Sequence, residues 1–317
     1  VDAFEGKLAV VTGGGSGMGR ELVVQLAREG CSVATCDLSA DALADTLARA
    51  RHDAPTGTRV TAHGCDVSDA AQVERFRDEV VDQHETDHIN LLFNNAGIAG
   101  GGSFITDDRA EWERTFGVCW GGVYNCSRAF VPLLIASDDG YLVNTSSVNG
   151  FWASLGPGIP HTAYSTAKFA VRGFTEALIE DFQVNAPHVK VAVVMPGHIG
   201  TDIVVNSRRV HRGSVDAEPR GDELAAMRAG AARWGLNADE LSDDDLRRML
   251  EMMGQMFRDN APVSAEEAAT VILDGVRKGT WRILVGDDAR ALDEAVRADP
   301  EAAYGADGLR LGSIIGG

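Results

Sequence analysis

The sequence predicts an α/β fold: a doubly wound parallel sheet of about seven strands, helices on both faces and a helical insertion before the last strand. Two observations carry this expectation. Short β-branched runs such as Leu8–Thr12 and Val189–Met195 alternate with helical stretches as far as residue 202, the pattern of strand–helix–strand crossovers. Glycines and polar residues follow successive runs, at the carboxyl ends of the strands, where an open parallel sheet holds its ligand.

Bulk properties narrow the class. With 317 residues, 44% hydrophobic and 24% charged, the chain can bury a sizeable core. No internal repeat or low-complexity linker divides it. Residues 1–317 therefore read as one domain, with a helical insertion over 203–263 and a C-terminal extension over 287–317. The net charge of −18, from 29 basic and 47 acidic residues, opposes nucleic acid or an anionic membrane as partner. No apolar run reaches the roughly 18 residues of a membrane span, and Val1–Lys7 lacks the layout of a secretory signal. The cysteines, Cys31, Cys36, Cys65, Cys119 and Cys126, are odd in number and lack C-x-x-C spacing. They predict reduced thiols in a cytoplasmic protein, without a disulfide framework or a metal site.

Leu8–Thr12 reads as a buried strand running into Gly13-Gly14-Gly15-Ser16-Gly17-Met18-Gly19-Arg20 and a helix over 21–29. Strand, glycine turn and helix N-terminus make a phosphate cradle, because backbone amides approach the anion and the helix dipole favours its charge. The second strand, 31–36, ends at Asp37, about 20 residues past the turn, where an adenosine ribose should lie. A carboxylate there accepts from both ribose hydroxyls and repels a 2′-phosphate. Neither Ser16 nor Leu38 supplies an offsetting cation, so NAD is expected over NADP. The third strand, 59–64, ends in Cys65-Asp66-Val67. Asp66 reads either as a partner for an adenine amino group, with Val67 against the ring, or as a turn former. After a helix over 70–84, the fourth strand, 89–93, ends in Asn94-Asn95-Ala96-Gly97, the polar, small-residue wall a ligand crevice needs.

A helical region over 109–136 buries a broad face through Trp112, Phe116, Cys119, Trp120, Val123, Cys126 and Phe130. The strand 141–145 leads to Ser147. The loop 151–161, with Gly156, Pro157 and Pro160, is irregular, and its Phe151 and Trp152 are candidates to line a substrate pocket. His161 reads as a surface or capping residue, with a substrate contact as the alternative. The next helix, to Asn185, carries Tyr164-Ser165-Thr166-Ala167-Lys168. Residues four apart share a helix face, so the Lys168 ammonium is expected to lower the Tyr164 pKa from its ordinary value of about 10. Such a phenol exchanges a proton with an alcohol or carbonyl oxygen near neutral pH, and Ser147 can hydrogen-bond the same oxygen. The pair gains meaning only beside a bound hydride carrier. Strand 189–195 then ends in Pro196-Gly197-His198-Ile199-Gly200-Thr201.

Together these motifs resemble the short-chain dehydrogenase/reductase family, in its subtype with a T-G-x-x-x-G-x-G turn. Thr12 to Gly19 fits that turn, Asn94 to Gly97 fits its N-N-A-G, and Ser147, Tyr164 and Lys168 fit its catalytic set. Pro196, Gly197, Ile199 and Thr201 fit its nicotinamide-side loop. The resemblance covers about residues 4–202 and implies a Rossmann-type fold binding NAD across the strand ends. It implies Gly13, Ser16, Met18 and Gly19 around the pyrophosphate, Asp37 at the ribose, and Asp66 and Val67 at the adenine. Asn95, Ala96 and Gly97 would lie along the cofactor, with Ile199 and Thr201 near the carboxamide. Tyr164 would be the general acid/base, with Lys168 lowering its pKa and holding the nicotinamide ribose, and Ser147 orienting the substrate oxygen. The implied activity is NAD-dependent hydride transfer to or from an alcohol or ketone, in a homodimer or homotetramer. One departure stands out: Cys119 occupies the place of the family's asparagine on the long helix.

Beyond the shared core, Ser207 to Arg212 is a basic patch, and 213–221 reads as exposed loop. Helices are expected over 222–234 and 242–257. In the second of these, Leu246, Met249, Leu250, Met253, Met256 and Phe257 form an apolar face, either packed on the core or another subunit or lying over an apolar substrate. Ser264 to Glu267 is a capping box, Arg282–Val285 reads as the last strand, and a helix to about Ala298 follows. Leu309, Leu311, Ile314 and Ile315 in the tail either dock on a neighbouring subunit or are disordered. Two other functions compete with the dehydrogenase: a weakly catalytic NAD-binding sensor or scaffold, suggested by Cys119, and an isomerase or lyase using bound NAD.

Overall fold

The computed structural model describes residues 3–213, 221, 223–225, 227–228, 241–305 and 307–309. Most of the expected helix over 222–234, the loop over 214–220 and Leu311, Ile314 and Ile315 lie outside them. In order come β1 (Leu8–Thr12), α1 (Gly17–Arg28), β2 (Ser32–Asp37), α2 (Ala40–Asp53), β3 (Val60–Gly64), α3 (Ala70–His84) and β4 (Leu91–Asn94). Next are α4 (Arg109–Phe116), a π-helical turn (Gly117–Gly121), α5 (Gly122–Ile135), β5 (Gly140–Thr145), α6 (Thr162–Asn185), β6 (Val189–Pro196) and β7 (Ile199–Gly200). Then follow α7 (Ile203–Arg212), α8 (Asp243–Asp259), β8 (Val263–Ser264), α9 (Ala265–Arg277), β9 (Arg282–Val285) and α10 (Asp287–Ala298).

Seven parallel strands form one sheet in the order β3-β2-β1-β4-β5-β6-β9. Strand residues alternate between its faces. Ala9 and Val11 of β1 join a core with Leu22 and Leu26 of α1 and Ile272 and Leu273 of α9. Leu8 and Val10 join the opposite core, with Phe76 of α3 and Phe130 and Leu134 of α5. Side chains of this size contribute roughly 1.5–3 kcal/mol each when fully buried, which fixes the strand register. The chain order reverses direction at β1, whose neighbours are β2 and β4, and that switch point opens a crevice at the strand carboxyl ends.

Three features depart from the sequence reading. The long helix is interrupted at Gly117–Gly121. The basic patch is a helix, α7. Finally, β7 pairs with β8, Ile199 opposite Val263, in a two-stranded sheet of its own. The Ser264 capping box is present, Ser264 Oγ accepting from the Glu267 amide at 3.1 Å while Glu267 accepts from the Ser264 amide at 2.8 Å.

Candidate active site and dinucleotide cleft

A cleft of about 660 Å³ opens at the switch point, lined by Gly13, Ser16, Met18, Asp37, Leu38, Asp66, Val67, Asn95, Ala96, Gly97 and Thr201. These are expected site residues from five separate strand ends, brought together by the sheet order. Gly13 sits at φ +69°, and a Cβ there would stand 2.8 Å from the Ala96 Cα. Only glycine fits, and the turn passes close beneath β4. Thr12 ties the two strand ends together, its Oγ1 accepting from the Asn95 and Ala96 amides at 3.0 Å each. Ser16 holds the N-cap of α1 without capping it by its side chain. The first-turn amides of α1 therefore remain available to an anion.

Asp37 stands at the tip of β2 as expected. One carboxylate oxygen accepts from the Gly15 amide at 3.0 Å and the other from the Ser39 amide at 3.2 Å. Those bonds hold it facing the cleft, with lone pairs left for further donors. Asp66 is paired with Arg114 at 2.8 Å and accepts from Ser68 Oγ at 2.7 Å. Although burial opposes it, these partners hold the Asp66 carboxyl below the usual range, so Asp66 works in a turn and at the cleft wall together. Gly19, Pro196, Gly197 and Ile199 do not line the cleft. Gly19 packs beneath the turn against Gly13 and Asn95, and Ile199 belongs to the α1/α9 core. The Gly197 amide donates to the Val285 carbonyl at 2.9 Å. These residues support the cleft rather than face it.

Ser147, Tyr164 and Lys168 do not line the cleft; they adjoin Gly97 of its wall, the Lys168 Nζ being 3.5 Å from where a Gly97 Cβ would stand. The ammonium is only 2% exposed, donates to the Thr145 carbonyl at 2.8 Å and sits 5.3 Å from the centre of the Tyr164 ring. The Ser147 hydroxyl beside Tyr164 favours the ionised phenol. Beneath them the polar chain Ser127–Asn94–Asn144–Thr175 joins β4 and β5 to α5 and α6, with bonds of 2.9–3.0 Å. The expected lowering of the Tyr164 pKa is not found. Burial pushes the phenol up, Cys119 beside it adds to the rise, and Ser147 only partly offsets them. Burial also pushes Lys168 down, against Cys119. At both groups desolvation is the largest effect.

Cys119, on the π-helical turn, is wholly buried. Its Sγ donates to the Ile98 carbonyl at 3.1 Å and accepts from the Ile98 amide at 3.5 Å. One thiol thus meets both the donor and the acceptor of the segment after Gly97. His161 stands at the N-cap of α6, its carbonyl accepting from the Ser165 amide at 3.2 Å, but its side chain makes no cap bond and is half-buried rather than free on the surface. Its ring is 4.9 Å from that of Tyr164, tilted by 34°, and burial lowers its pKa to about 4. The imidazole is therefore neutral near pH 7 and borders the Tyr164 phenol. Phe151 and Trp152, expected at a substrate pocket, are buried instead against Ala289 and Leu292 of α10, with Trp152 Nε1 donating to the Ala303 carbonyl at 3.0 Å. Leu309 packs on this same cluster, so at that residue the tail docks on its own chain.

The cleft also has walls that the sequence did not announce. Helix α7 contributes Ile203, Asn206, Arg209 and Val210, while Arg20, Arg114 and Val118 come from elsewhere. Asn206 Nδ2 donates to Ser16 Oγ at 3.1 Å, bonding α7 to the glycine turn. Helix α8 packs Leu246 and Leu250 with Leu224 and Met227 and exposes Met252, Met253 and Met256. Among the described residues no cluster suits a metal ion and no helix is long and apolar enough to cross a membrane.

A model of the short chain dehydrogenase family matches residues 7–211. SadH of Mycobacterium tuberculosis, an oxidoreductase by name, is 35% identical over 297 residues, 94% of this chain and 92% of its own. The human epidermal retinol dehydrogenase 2 is 34% identical over 198 residues, 62% of this chain and 61% of its own. Among solved structures, a Burkholderia phymatum short chain dehydrogenase/reductase in complex with NAD superposes with a TM-score of 0.75 at 27% identity, covering 96% of this chain and 98% of that one. A parallel seven-stranded sheet with its cleft at the switch point, a family match spanning most of that sheet and a relative similar over nearly its whole length lead to one conclusion: the chain belongs to the short-chain dehydrogenase/reductase family of oxidoreductases.

Proposed function

We propose that the protein is an NAD-dependent dehydrogenase or ketone reductase acting on an apolar secondary alcohol or ketone. The observation that carries this reading is the grouping of Ser147, Tyr164 and buried Lys168 beside Gly97, which lines a cleft built from a glycine turn and Asp37. Bound NAD would supply the carbon that takes or gives the hydride. Ser147 donates to the substrate oxygen and orients it. Tyr164 passes its proton to that oxygen in reduction and takes it back in oxidation. Lys168, held by the Thr145 carbonyl, provides the positive charge that stabilises the phenolate once the proton has left.

The choice of NAD rests on Asp37, whose carboxylate suits two ribose hydroxyls and repels a 2′-phosphate, and is supported by the NAD complex of the Burkholderia relative. The apolar substrate rests on Phe104, Ile105 and Ile159, which are exposed. The segments carrying them adjoin the start of α6, where the Thr162 and Ala163 amides donate to the Gly102 and Gly101 carbonyls at 2.8 and 3.0 Å. Exposed apolar side chains grouped near a reactive site mark a binding surface, and a retinol dehydrogenase is among the relatives. Reduction of NAD measured over secondary alcohols of graded size is expected to give turnover that rises with apolar bulk, with NADP a poorer acceptor. Absence of turnover on every alcohol and ketone would contradict the activity. Equal affinity for NAD and NADP would contradict the role of Asp37.

A further inference from the structure

Helix α7 carries Arg208, Arg209, His211 and Arg212 in a chain of net charge −18. Its polar side chains are nearly all engaged. Arg208 donates to the Leu250 carbonyl at 2.7 Å, and Arg212 pairs with Glu223 at 2.8 Å. His211 Nε2 lies 2.8 Å from the Ala99 carbonyl, and Ser207 Oγ accepts from the Ala99 amide at 2.7 Å. Arg209 is the exception. It is exposed, and its side chain makes no ion pair or hydrogen bond among the described residues.

Asp202, Asn206, Arg209 and Gly213 all line the cleft, and their three- and four-residue spacing makes them one strip along α7, from its N-cap to its C-cap. Asn206 on that strip already bonds Ser16 of the glycine turn, and Arg209 stands one turn further along. The other charges of the cleft wall are paired: Arg20 with Asp45 at 3.4 Å, Arg114 with Asp66 at 2.8 Å and Asp202 with Arg258 at 2.9 Å. Among the described residues one anion of the cleft wall, Asp37, and one cation, Arg209, remain without an opposite charge. They suit different parts of a dinucleotide, the carboxylate its hydroxyls and the guanidinium its phosphates, whose oxygens match the guanidinium fork.

We propose that Arg209 is a phosphate-binding residue of the cleft, closing from α7 onto a phosphate of the dinucleotide across from the glycine turn; this rests on the dinucleotide reading above. Two phosphates qualify, the pyrophosphate common to NAD and NADP and the 2′-phosphate of NADP. Calorimetric titration of the full chain with NAD, NADP and adenosine, beside Arg209→Gln, separates them. The variant is expected to lose about tenfold in affinity for both dinucleotides, about 1.4 kcal/mol, with adenosine binding unchanged and a weaker dependence of NAD affinity on salt. A loss for NADP alone would assign the 2′-phosphate. Unchanged affinity for both dinucleotides, or an equal loss for adenosine, would overturn the proposal while leaving the cleft reading in place. Wild-type protein that binds neither dinucleotide would overturn both. Because Arg209 is exposed, the ligand-free melting temperature serves as the fold control and is expected to be unchanged.

Discussion

Cys119 shows how a departure from a family pattern is absorbed by local chemistry. A thiol donates and accepts weakly, and here it serves both the carbonyl and the amide of Ile98. Cys119→Ala leaves both groups buried without that partner and is expected to cost about 1–3 kcal/mol, read by urea denaturation. Cys119→Asn restores a donor and an acceptor and should keep turnover within a factor of a few. A large rise in turnover would mean that the natural residue limits catalysis. His161 gives a second test. Its folded pKa of about 4 lies below the roughly 6.5 of a free histidine. The unfolded chain therefore binds the proton first, so stability is full above about pH 6.5 and falls as the pH drops toward 4. About 1 kcal/mol is expected to be lost between about pH 7 and 5, after allowance for partial exposure, and His161→Phe should flatten that slope. An unchanged slope would place the imidazole in water. Tyr164, Lys168 and Ser147 were legible because their spacing is local. Asn206 was not, since its partner Ser16 is 190 positions away.

The strand–turn–helix β1–α1 was readable because each part has its own sequence signal: β-branched residues, then glycines, then a helical stripe. Its glycines also set its vulnerability. Gly13→Ala brings a Cβ to 2.8 Å from the Ala96 Cα at a positive φ, so the turn must move away from β4. NAD affinity is expected to fall at least tenfold, by calorimetry, and near-wild-type binding would show that the turn is not part of the cradle. Helices α3 and α10 were equally legible, α3 with the Asp69 N-cap accepting from the Ala71 amide at 2.9 Å. Helix α7 was not. Its charges suggest a surface patch, and its pairing with the cleft depends on Ser207 reaching Ala99. The β7–β8 pair joins segments far apart in the chain, so no local pattern announces it. The π-helical turn is masked by an apolar stripe that continues on both sides of it.

Sheet order turns these pieces into a site. Since β1 lies between β2 and β4, the glycine turn, Asp37 and the Asn95–Gly97 segment meet at one crevice, while α6 brings Lys168 up beside Gly97 of its wall. Alternation of strands and helices was enough to expect this topology. The cover given by α7 and the burial of Phe151 and Trp152 under α10 were not legible, because they depend on how late segments fold back over an early core. Tyr124 and Phe169 are exposed on α5 and α6, and apolar side chains in such positions favour self-association. Sedimentation is expected to give the mass of a homodimer or homotetramer, and a monomer at micromolar concentration would contradict that expectation. The central claim is that Tyr164 carries the proton of an NAD-linked hydride transfer. It is tested most directly by the turnover of Tyr164→Phe on the best alcohol, measured with its NAD affinity. A fall of roughly 10²- to 10⁴-fold with NAD binding retained is the predicted result. Wild-type turnover in the variant would contradict it.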